Sequence, residues 1–469
     1  MKEAELVFNP APVIGHLVST VEIAKLLIDR DDRLSITVLL MKLPFHDSML
    51  NTYTQSLAAS IPTERIRFVN LPQDNSVSYP RTNFLTLFIQ NQKPHVKETV
   101  TQIMTRSDSG HDSTLLGGFV LDMFCTCMID VANEFGVPAY AFFTSGAACL
   151  GLMFHLQTLQ DKHNMDVTEL KGYNTELAIP SFANPLPDKV LPSVVFDKDG
   201  GSSAFLGYAK RLRETKGIMV NTFMELESHA VQSLSDDATT PKVYPVGPIV
   251  NLTGETHVGS GGTHQKIDIM TWLDDQPPSS VVFLCFGSMG SFDVDQVKEI
   301  AHGLEQSGQR FLWSLRQPPP TDKFALPTDY GNPEEVLPEG FLDRTAEIGK
   351  VIGWAPQVAV MAHPAIGVCV ALWVELHLRE PVVWSTNSRM ANELGLAVEI
   401  KMDYRKSDSP AVVSAEEIKG GIRSVMEYDN EVRKKVKAVK EESRKTLMDG
   451  GSSYTWLGCF VKDVMDNMP

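Results

Sequence analysis

The chain has 469 residues, which is too long for one ordinary hydrophobic core, so two domains are expected. Its net charge of −16 and pI near 5.2 argue against binding to a nucleic-acid backbone or an anionic membrane, because both need clustered Lys and Arg. With 43% hydrophobic and 21% charged residues, the composition is typical of a soluble globular protein, and a small-molecule partner is expected.

Cysteine content and the absence of targeting signals indicate a cytoplasmic protein. Six cysteines are few for this length and no C-x-x-C occurs, so buried reduced thiols are predicted rather than a zinc or redox site. The opening, MKEAELVFNPAP, lacks the basic and long apolar regions of a signal peptide. No apolar run approaches the roughly 18 residues that a membrane span needs.

The first half alternates short apolar runs with amphipathic stretches. In chain order the strand-like runs are ELVFNP, LSITVLL, IRFVNLP, GGFVLDMF, PAYAFFTS, GIMVNTF and KVYPVGP. The segment LVSTVEIAKLLIDR, after the first run, has a helical pattern. Short buried strands separated by helices are typical of a parallel α/β sheet. A first doubly wound domain is therefore predicted over residues 1–248.

The pattern stops and then restarts in the second half. Residues 249–268 contain the glycine-rich stretch NLTGETHVGSGGTHQ, which predicts a linker. The strand SSVVFLCFGSMGS follows, and then a helix that Asp293 and Gln296 would cap and Gly308 would end. Further strands are predicted at RFLWSLR, KVIGWAP and PVVWST. We expect a second doubly wound domain over 269–450 and a final helix over 451–469.

Two residues of the first half have positions that favour catalysis. His16 follows the first strand in NPAPVIGHLVS, and ligands of open α/β sheets bind at the carboxyl ends of strands. Asp122 lies in the apolar run FVLDMFC, where an acid is costly to bury without a partner. If the two pair, the acid orients the imidazole and His16 is a general base. A lone histidine at a strand end is otherwise more often structural.

Two loops of the second half suit a nucleotide. CFGSMGS offers the backbone amide of Gly287 and the Ser288 hydroxyl to a phosphate at a helix N-terminus. GWAPQ offers the indole of Trp354 to a planar base, although a tryptophan at a strand end can equally be a core residue. The motifs G-x-S-x-G, G-x-x-x-x-G-K-[ST] and H-E-x-x-H are absent from the sequence, which gives a serine hydrolase, a P-loop enzyme or a zinc protease little support.

Together these segments resemble the plant secondary-product UDP-glycosyltransferases, which are family 1 enzymes with the GT-B fold. The resemblance runs nearly the whole length, through PAPVIGHLVSTVEIAKLL, VLDMFCTCMIDVANEFGVPAYAFFTS, GIMVNTFMELESHAV, YPVGPIV, FLCFGSMGSF, WAPQVAVMAHPAIG, NELGLAVEIKMDY and GGSSYTWLGCFVKD. It implies an α/β protein of two doubly wound Rossmann-like domains facing across a cleft. The final helix, 451–469, is expected to pack back on the N-terminal, acceptor-binding domain.

The resemblance also implies a role for each site residue. His16 would deprotonate the acceptor hydroxyl and Asp122 would be its charge partner, so that the acceptor oxygen attacks the anomeric carbon with inversion as UDP leaves. The residues expected to bind the donor are Thr144, Gly287, Ser288, Trp354, Ala355, Gln357 and Glu375. Neither a metal nor a cofactor is implied, because the UDP-sugar is a co-substrate and protein donors stabilise the leaving diphosphate. A monomer is expected.

The chain departs from the family pattern after HPAIG. The family continues there with a strand, the block His-Cys-Gly-Trp-Asn-Ser, a helix bearing a ribose-binding Glu, and later an acid–Gln pair for the sugar hydroxyls. This chain reads VCVALWVELHLREPVVWSTNSRMANELG, a shorter segment without the block or the pair, in which Glu375 stands near the ribose-binding Glu. In the first loop, Val13 occupies a position where relatives carry Gly.

Two hypotheses follow. The first is an inverting O-glycosyltransferase that transfers the sugar of a UDP-sugar, UDP-glucose by preference, to small hydroxylated plant metabolites such as phenols or flavonoids. The second is a catalytically impaired or inactive relative that binds an acceptor-like ligand, because the donor motif is truncated. The identity of the acceptor does not follow from the sequence, since variable loops line acceptor pockets.

Overall fold

The computed structural model describes residues 3–468 apart from 44–49, 51–52, 56, 58–63, 74–78, 80–82, 109–113, 171–175, 250–261, 288–289, 320–326, 371–392, 401–411 and 428–429. The chain divides into two compact units. The first unit comprises Met1–Asn251 and Val439–Pro469, and the second comprises Leu252–Ala438. The first boundary falls inside the stretch that the sequence predicts as a linker. The return to the first unit comes earlier than residue 451, because Leu447 already packs against the core of that unit.

Seven of the nine described strands of the first unit coincide with the seven apolar runs of the first half, and two short strands, Glu176–Leu177 and Leu186–Pro187, were not predicted. They are β1 (Glu3–Asn9), β2 (Leu34–Leu40), β3 (Ile66–Asn70), β4 (Thr114–Asp122), β5 (Ala139–Phe143), β6 (Glu176–Leu177), β7 (Leu186–Pro187), β8 (Gly217–Val220) and β9 (Lys242–Pro245). Seven of them form one parallel sheet in the order β3-β2-β1-β4-β5-β8-β9, and β6 and β7 form a short antiparallel pair. The predicted parallel α/β sheet is confirmed.

The second unit repeats the same plan with fewer described strands. They are β10 (Val281–Leu284), β11 (Arg310–Ser314), β12 (Arg316–Gln317), β13 (Thr328–Asp329), β14 (Gly349–Ile352) and β15 (Ile366–Val370). Four form a parallel sheet in the order β14-β11-β10-β15, and β12 pairs antiparallel with β13. The strand predicted at PVVWST lies outside the described residues.

Helices connect the strands in both units. They are α1 (Ile14–Arg30), α2 (Phe84–Asn91), α3 (Lys93–Asp108), α4 (Ile129–Glu134), α5 (Ala147–His163), α6 (Gly201–Leu212), α7 (Met224–Asp236), α8 (Gly262–Asp274), α9 (Val294–Ser307), α10 (Phe341–Thr345), α11 (Gln357–Ala362), α12 (Ala415–Met426), α13 (Glu431–Thr446) and α14 (Ser452–Asp466). The predicted start and end of α9 are confirmed: the Asp293 carboxylate accepts from the backbone N–H of Gln296 at 2.9 Å, and Gly308 ends the helix with φ 69°. The Gln296 side chain does not take part in the cap, because its amide group pairs instead with the backbone of Val413 at 2.8 and 3.0 Å. No helix within the described ranges is long and apolar enough to cross a bilayer.

The final helix, α14, belongs to the core of the first unit. Phe460 meets Tyr140 and Tyr244 edge to face, with ring centroids 5.1 and 5.4 Å apart. The Asp463 carboxylate accepts hydrogen bonds from the Tyr244 hydroxyl and the Lys242 ammonium, both at 2.6 Å. Helices α1 and α14 thereby share one hydrophobic cluster over the sheet.

Both sheets have a position where the strand order reverses, and this position is where ligands bind in open α/β folds. In the first unit it lies between β1 and β4, because β2 and β3 extend the sheet on one side and β5, β8 and β9 extend it on the other. In the second unit it lies between β10 and β15. The carboxyl ends of these strands are therefore the places to look for functional side chains.

Candidate functional site

His16 and Asp122 meet at the reversal point of the first sheet. His16 lies in the first turn of α1, directly after β1, and Asp122 is the last residue of β4. The imidazole Nδ1 is 2.6 Å from the carboxylate Oδ2, and the two residues are only 5% and 2% exposed. The sequence separates them by 106 positions, so the parallel pairing of β1 with β4 is what brings them together.

The Asp122 carboxylate is itself held in place. Its second oxygen, Oδ1, accepts from the backbone N–H of Phe124 at 2.9 Å and so caps the 3-10 helix Met123–Met128. With one oxygen on Phe124 and the other on His16, the acid assigns the imidazole proton to Nδ1 and makes Nε2 the basic nitrogen. An imidazole oriented in this way can accept a proton from a hydroxyl.

The backbone of the loop before α1 is compatible with the valine at position 13. Val13, the residue before α1, has φ −128° and ψ 132°. These are extended angles that any residue adopts. The glycine that the family pattern leads one to expect at this position is therefore not required by the backbone of this chain.

Thr144 adds a hydroxyl to the same edge of the sheet. It follows β5, which is the neighbour of β4, and its Oγ1 lies 3.4 Å from Nδ1 of His16. The structure therefore brings three sequence-predicted residues together from the ends of three consecutive strands of the sheet.

Glu227 supports this edge, and the sequence analysis missed it. Its buried carboxylate accepts from the backbone N–H groups of Ala147 at 2.8 Å and Ala148 at 3.2 Å, the first two residues of α5. The acid thus fixes the start of α5 three residues after Thr144, and a negative charge at a helix N-terminus is favourable. No local sequence signal distinguishes Glu227 from Glu225, two residues before it. Glu225 has a different role and accepts a hydrogen bond from the Ser452 hydroxyl.

Aromatic side chains adjoin the imidazole. The Phe124 ring centroid is 5.3 Å from that of His16, and the Tyr208 ring meets Phe124 edge to face at 5.4 Å. The Tyr208 hydroxyl is 2.5 Å from the hydroxyl of Thr86. Burial raises the pKa of Tyr208 well above its usual range, so this hydroxyl stays protonated. These rings therefore pack beside the buried imidazole and help to shield it from water.

In the second unit, the GWAPQ loop follows β14 and is tied to the ends of two neighbouring strands. The Ser314 hydroxyl, at the end of β11, donates to the Gly353 carbonyl at 2.7 Å. The Gln357 amide donates to the thiol of Cys285, just after β10, at 2.8 Å. Burial raises the pKa of Cys285, which keeps this sulfur neutral. Ala355 is buried.

The structure places some of the expected donor-binding residues and not others. Trp354 is half-buried, and Gly287 is exposed with φ 75°, a left-handed angle that favours glycine. Ser288 and Glu375 lie outside the described residues. Among the residues that the structure describes, no group of three His, Cys, Asp or Glu side chains could hold a metal ion.

Comparisons with known proteins establish the family of the chain. Residues 221–372 match the family model described as "UDP-glucoronosyl and UDP-glucosyl transferase". A Fragaria ananassa protein named "UDP-glucose flavonoid 3-O-glucosyltransferase 6" is 55% identical over 99% of this chain and 99% of its own length. A Malus domestica protein, UDP-glycosyltransferase 71A15, is 51% identical over 99% of this chain and 100% of its own.

Solved structures show the same fold. A transferase from Siraitia grosvenorii in complex with UDP has a TM-score of 0.86 and 46% identity, covering 99% of this chain and 100% of its own. Medicago truncatula UGT71G1 complexed with UDP-glucose has a TM-score of 0.84 and 38% identity, covering 98% of each chain. Because the identities extend over nearly the full length of these proteins, the chain belongs to the plant family 1 UDP-glycosyltransferases and is a UDP-glycosyltransferase with the GT-B fold.

Proposed function

We propose that this chain transfers glucose from UDP-glucose to a hydroxyl group of a small phenol or flavonoid, with inversion at the anomeric carbon. The observation that carries the proposal is the His16–Asp122 pair, a buried imidazole held by a carboxylate at 2.6 Å where the strand order of the sheet reverses. The Fragaria ananassa relative is named as a UDP-glucose flavonoid glucosyltransferase, which supports both the donor and the acceptor class.

The reaction needs one proton transfer and one exchange of bonds at carbon. His16 takes the acceptor hydroxyl proton on Nε2, and the oxygen forms a bond to the anomeric carbon from the face opposite UDP. The bond from that carbon to the diphosphate oxygen breaks, and UDP leaves with the electron pair. Asp122 stabilises the imidazolium that forms and holds the ring in its productive orientation.

The remaining residues bind the donor. Thr144, 3.4 Å from the imidazole, contacts the transferred sugar. Trp354, Ala355 and Gln357 hold the uracil and ribose, and Gly287 and Ser288 contact the diphosphate. Glu375 is assigned to the ribose on the family pattern alone. These groups stabilise the leaving UDP by hydrogen bonding, so the proposal includes neither a metal nor a cofactor. We further propose a cytoplasmic monomer.

A panel assay tests this proposal. The protein is incubated with UDP-glucose, or with other UDP-sugars, and a set of phenols and flavonoids, and the products are detected by mass spectrometry. The expected result is acceptor plus one hexose, formed only with the donor present and lost in His16→Ala. Removal of a positioned base costs about 10²–10⁴-fold. Undiminished product in His16→Ala would refute the assignment of the base.

The second candidate is that this chain is a catalytically impaired UDP-glycosyltransferase, because its shortened donor segment binds the UDP-sugar weakly. Two observations favour it beyond the sequence of the segment itself. The family-model match ends at residue 372, inside the segment that departs from the family pattern after HPAIG. The alignment with the Fragaria ananassa relative also runs over 481 positions, more than the 469 residues of this chain, so the relative carries residues without a counterpart here.

The size of the impairment follows from the groups that would be missing. A diphosphate binds through charge-assisted hydrogen bonds that contribute about 1.5–3 kcal/mol each. Loss of three such donors weakens binding by roughly 4 kcal/mol or more, about a thousandfold. Calorimetric titration of UDP-glucose into this chain and into the Fragaria ananassa relative tests the idea. A low-micromolar dissociation constant for this chain would rule the impairment out.

A further inference from the structure

A buried arginine lies against the tryptophan of the GWAPQ loop. The guanidinium carbon of Arg316 is 5.0 Å from the Trp354 ring centroid, over the ring face, and Arg316 is only 8% exposed. A cation over an indole face is an attractive arrangement, and it is stronger when the pair is shielded from water. One face of the ring is therefore covered by the guanidinium.

The position of Arg316 is itself fixed by the short β12–β13 ribbon. Its Nε is 3.1 Å from the Asp329 carboxylate and 3.3 Å from the Thr328 carbonyl, and Nη2 donates to the carbonyl of Pro327. Burial lowers the pKa of Arg316, whereas the neighbouring Asp329 carboxylate raises it. The guanidinium remains charged, as arginine does in proteins.

The same ribbon also fixes the backbone next to the ring. A Cβ atom added to Gly353 would lie 2.4–2.6 Å from the carboxylate atoms of Asp329, so the acid packs directly against this glycine. The carbonyl of Gly353 is held from the other strand by Ser314. Trp354 is therefore constrained at its backbone by Asp329 and Ser314 and at its ring by Arg316.

We propose that Arg316 is a positioning residue for the nucleotide base, holding the Trp354 ring so that uracil stacks on the face turned away from the guanidinium. This inference rests on the proposed function, in which Trp354 contacts uracil. A ring held in its binding orientation before the ligand arrives spares the cost of ordering it, which is about 0.5–1.5 kcal/mol for a mobile side chain and corresponds to about two- to tenfold in affinity.

The contacts of Arg316 distinguish this role from direct recognition of the diphosphate. Its Nε and Nη2 donate to Asp329 and to the carbonyls of the ribbon, and its charge faces a carboxylate at 3.1 Å. A phosphate ligand would need these donors turned toward it. Arg316 therefore acts through Trp354 and not on the phosphates.

Uridine is the probe that separates the two roles, because it carries the base and ribose without phosphate. Binding of uridine and of UDP is measured by calorimetry for Arg316→Met, Arg316→Lys, Trp354→Ala and the double variant. Arg213→Met is the matched control: Arg213 also lies over a ring, 4.1 Å from the Phe154 centroid, and pairs with Asp237, but it belongs to the first unit. Thermal unfolding is recorded for every variant.

Arg316→Met is expected to weaken uridine and UDP by the same factor, about two- to tenfold, with no further loss when it is added to Trp354→Ala. Arg316→Lys keeps the cation and is expected to lose less. Arg213→Met lowers the melting temperature without changing either affinity. If Arg316→Met does not fold, Arg316→Lys and its combination with Trp354→Ala supply the same comparison.

Other outcomes would overturn the inference in distinguishable ways. Weaker binding of UDP with unchanged uridine binding would make Arg316 a phosphate ligand. Additive losses in the double variant would show that it acts independently of Trp354. Wild-type affinity in the Arg316 variants, with a loss in Trp354→Ala, would refute the positioning role and leave the proposed function standing. Wild-type affinity in Trp354→Ala would refute the base platform of the proposed function itself.

Discussion

Asp122→Asn tests whether the acid orients His16, because asparagine keeps the shape of aspartate and replaces one oxygen with NH2. In the wild type one carboxylate oxygen accepts from His16 at 2.6 Å and the other accepts from the Phe124 N–H at 2.9 Å. The asparagine oxygen can occupy only one of these positions. If it faces His16, the NH2 group opposes the Phe124 N–H. If it faces Phe124, the NH2 group donates to Nδ1 and moves the imidazole proton to Nε2.

The cost follows from these two orientations. The orientation with the asparagine oxygen toward His16 loses the hydrogen bond to Phe124, at a cost of about 1 kcal/mol. Roughly one molecule in six therefore adopts it and keeps the imidazole proton on Nδ1. Loss of the carboxylate charge beside the imidazolium removes a charge-assisted bond of about 1.5–3 kcal/mol, a factor of roughly ten to a hundred. Together they lower kcat/KM by about a hundredfold or more. His16→Ala is expected to cost at least as much, within the range of about 10²–10⁴-fold.

The assay is donor-dependent glucoside formation, measured by mass spectrometry at substrate concentrations below KM. Thermal unfolding, recorded in parallel, separates loss of the base from loss of the fold. The double variant His16→Ala, Asp122→Asn is expected to be no slower than His16→Ala, because the acid acts through the histidine. A retained rate within twofold of wild type in Asp122→Asn, or additive losses in the double variant, would refute the reasoning.

Three further predictions concern the stability of the first unit, the binding of the uracil base and the reactivity of the Cys285 thiol. Glu227→Ala leaves the N–H groups of Ala147 and Ala148 without their acceptor, so unfolding should become easier by about 2–4 kcal/mol in urea titrations; an unchanged midpoint would contradict this. Trp354→Ala should weaken uridine by about fivefold to a hundredfold in calorimetry, since base stacking on an aromatic ring contributes about 1–3 kcal/mol. Because burial raises the pKa of Cys285, its thiol should stay protonated at pH 8 and react slowly with iodoacetamide in peptide mass mapping, and faster alkylation than in a model thiol would contradict the burial.

The parallel sheet, and the position of His16 and Asp122 at its carboxyl edge, could be predicted from the sequence for a physical reason, whereas their pairing was expected from the family resemblance. Buried parallel strands are continuous apolar runs, and polar residues at their carboxyl ends must share one edge of the sheet. His16 and Asp122 stand at the ends of two such runs, and the acid needed a partner. Their pairing is a consequence of strand order, which the helical connections dictate.

The supporting contacts could not be predicted in the same way. Glu227 lies on a helix, 80 and 79 residues later in the chain than Ala147 and Ala148, the two residues at the start of α5 to which it bonds. Arg316 meets Trp354 only because a two-residue antiparallel ribbon folds Asp329 back on it. Neither position has a periodic pattern or a turn signal, since such contacts depend on loop geometry. The strand predicted at PVVWST and the residues Ser288 and Glu375 lie outside the described residues and stay predictions.

The central claim is that this chain is a glucosyltransferase that uses UDP-glucose and His16. Its most direct test is the yield of phenol or flavonoid glucoside over a UDP-glucose series that extends from micromolar to millimolar concentrations, with wild type, His16→Ala and the Fragaria ananassa relative side by side. The account predicts donor-dependent glucoside from the wild type and at least about a hundredfold less from His16→Ala. Product from the wild type only at millimolar donor, with product from the relative at far lower concentrations, is the result that the second candidate function predicts. Absence of product from the wild type at millimolar UDP-glucose, or equal product from wild type and His16→Ala, would contradict the central claim.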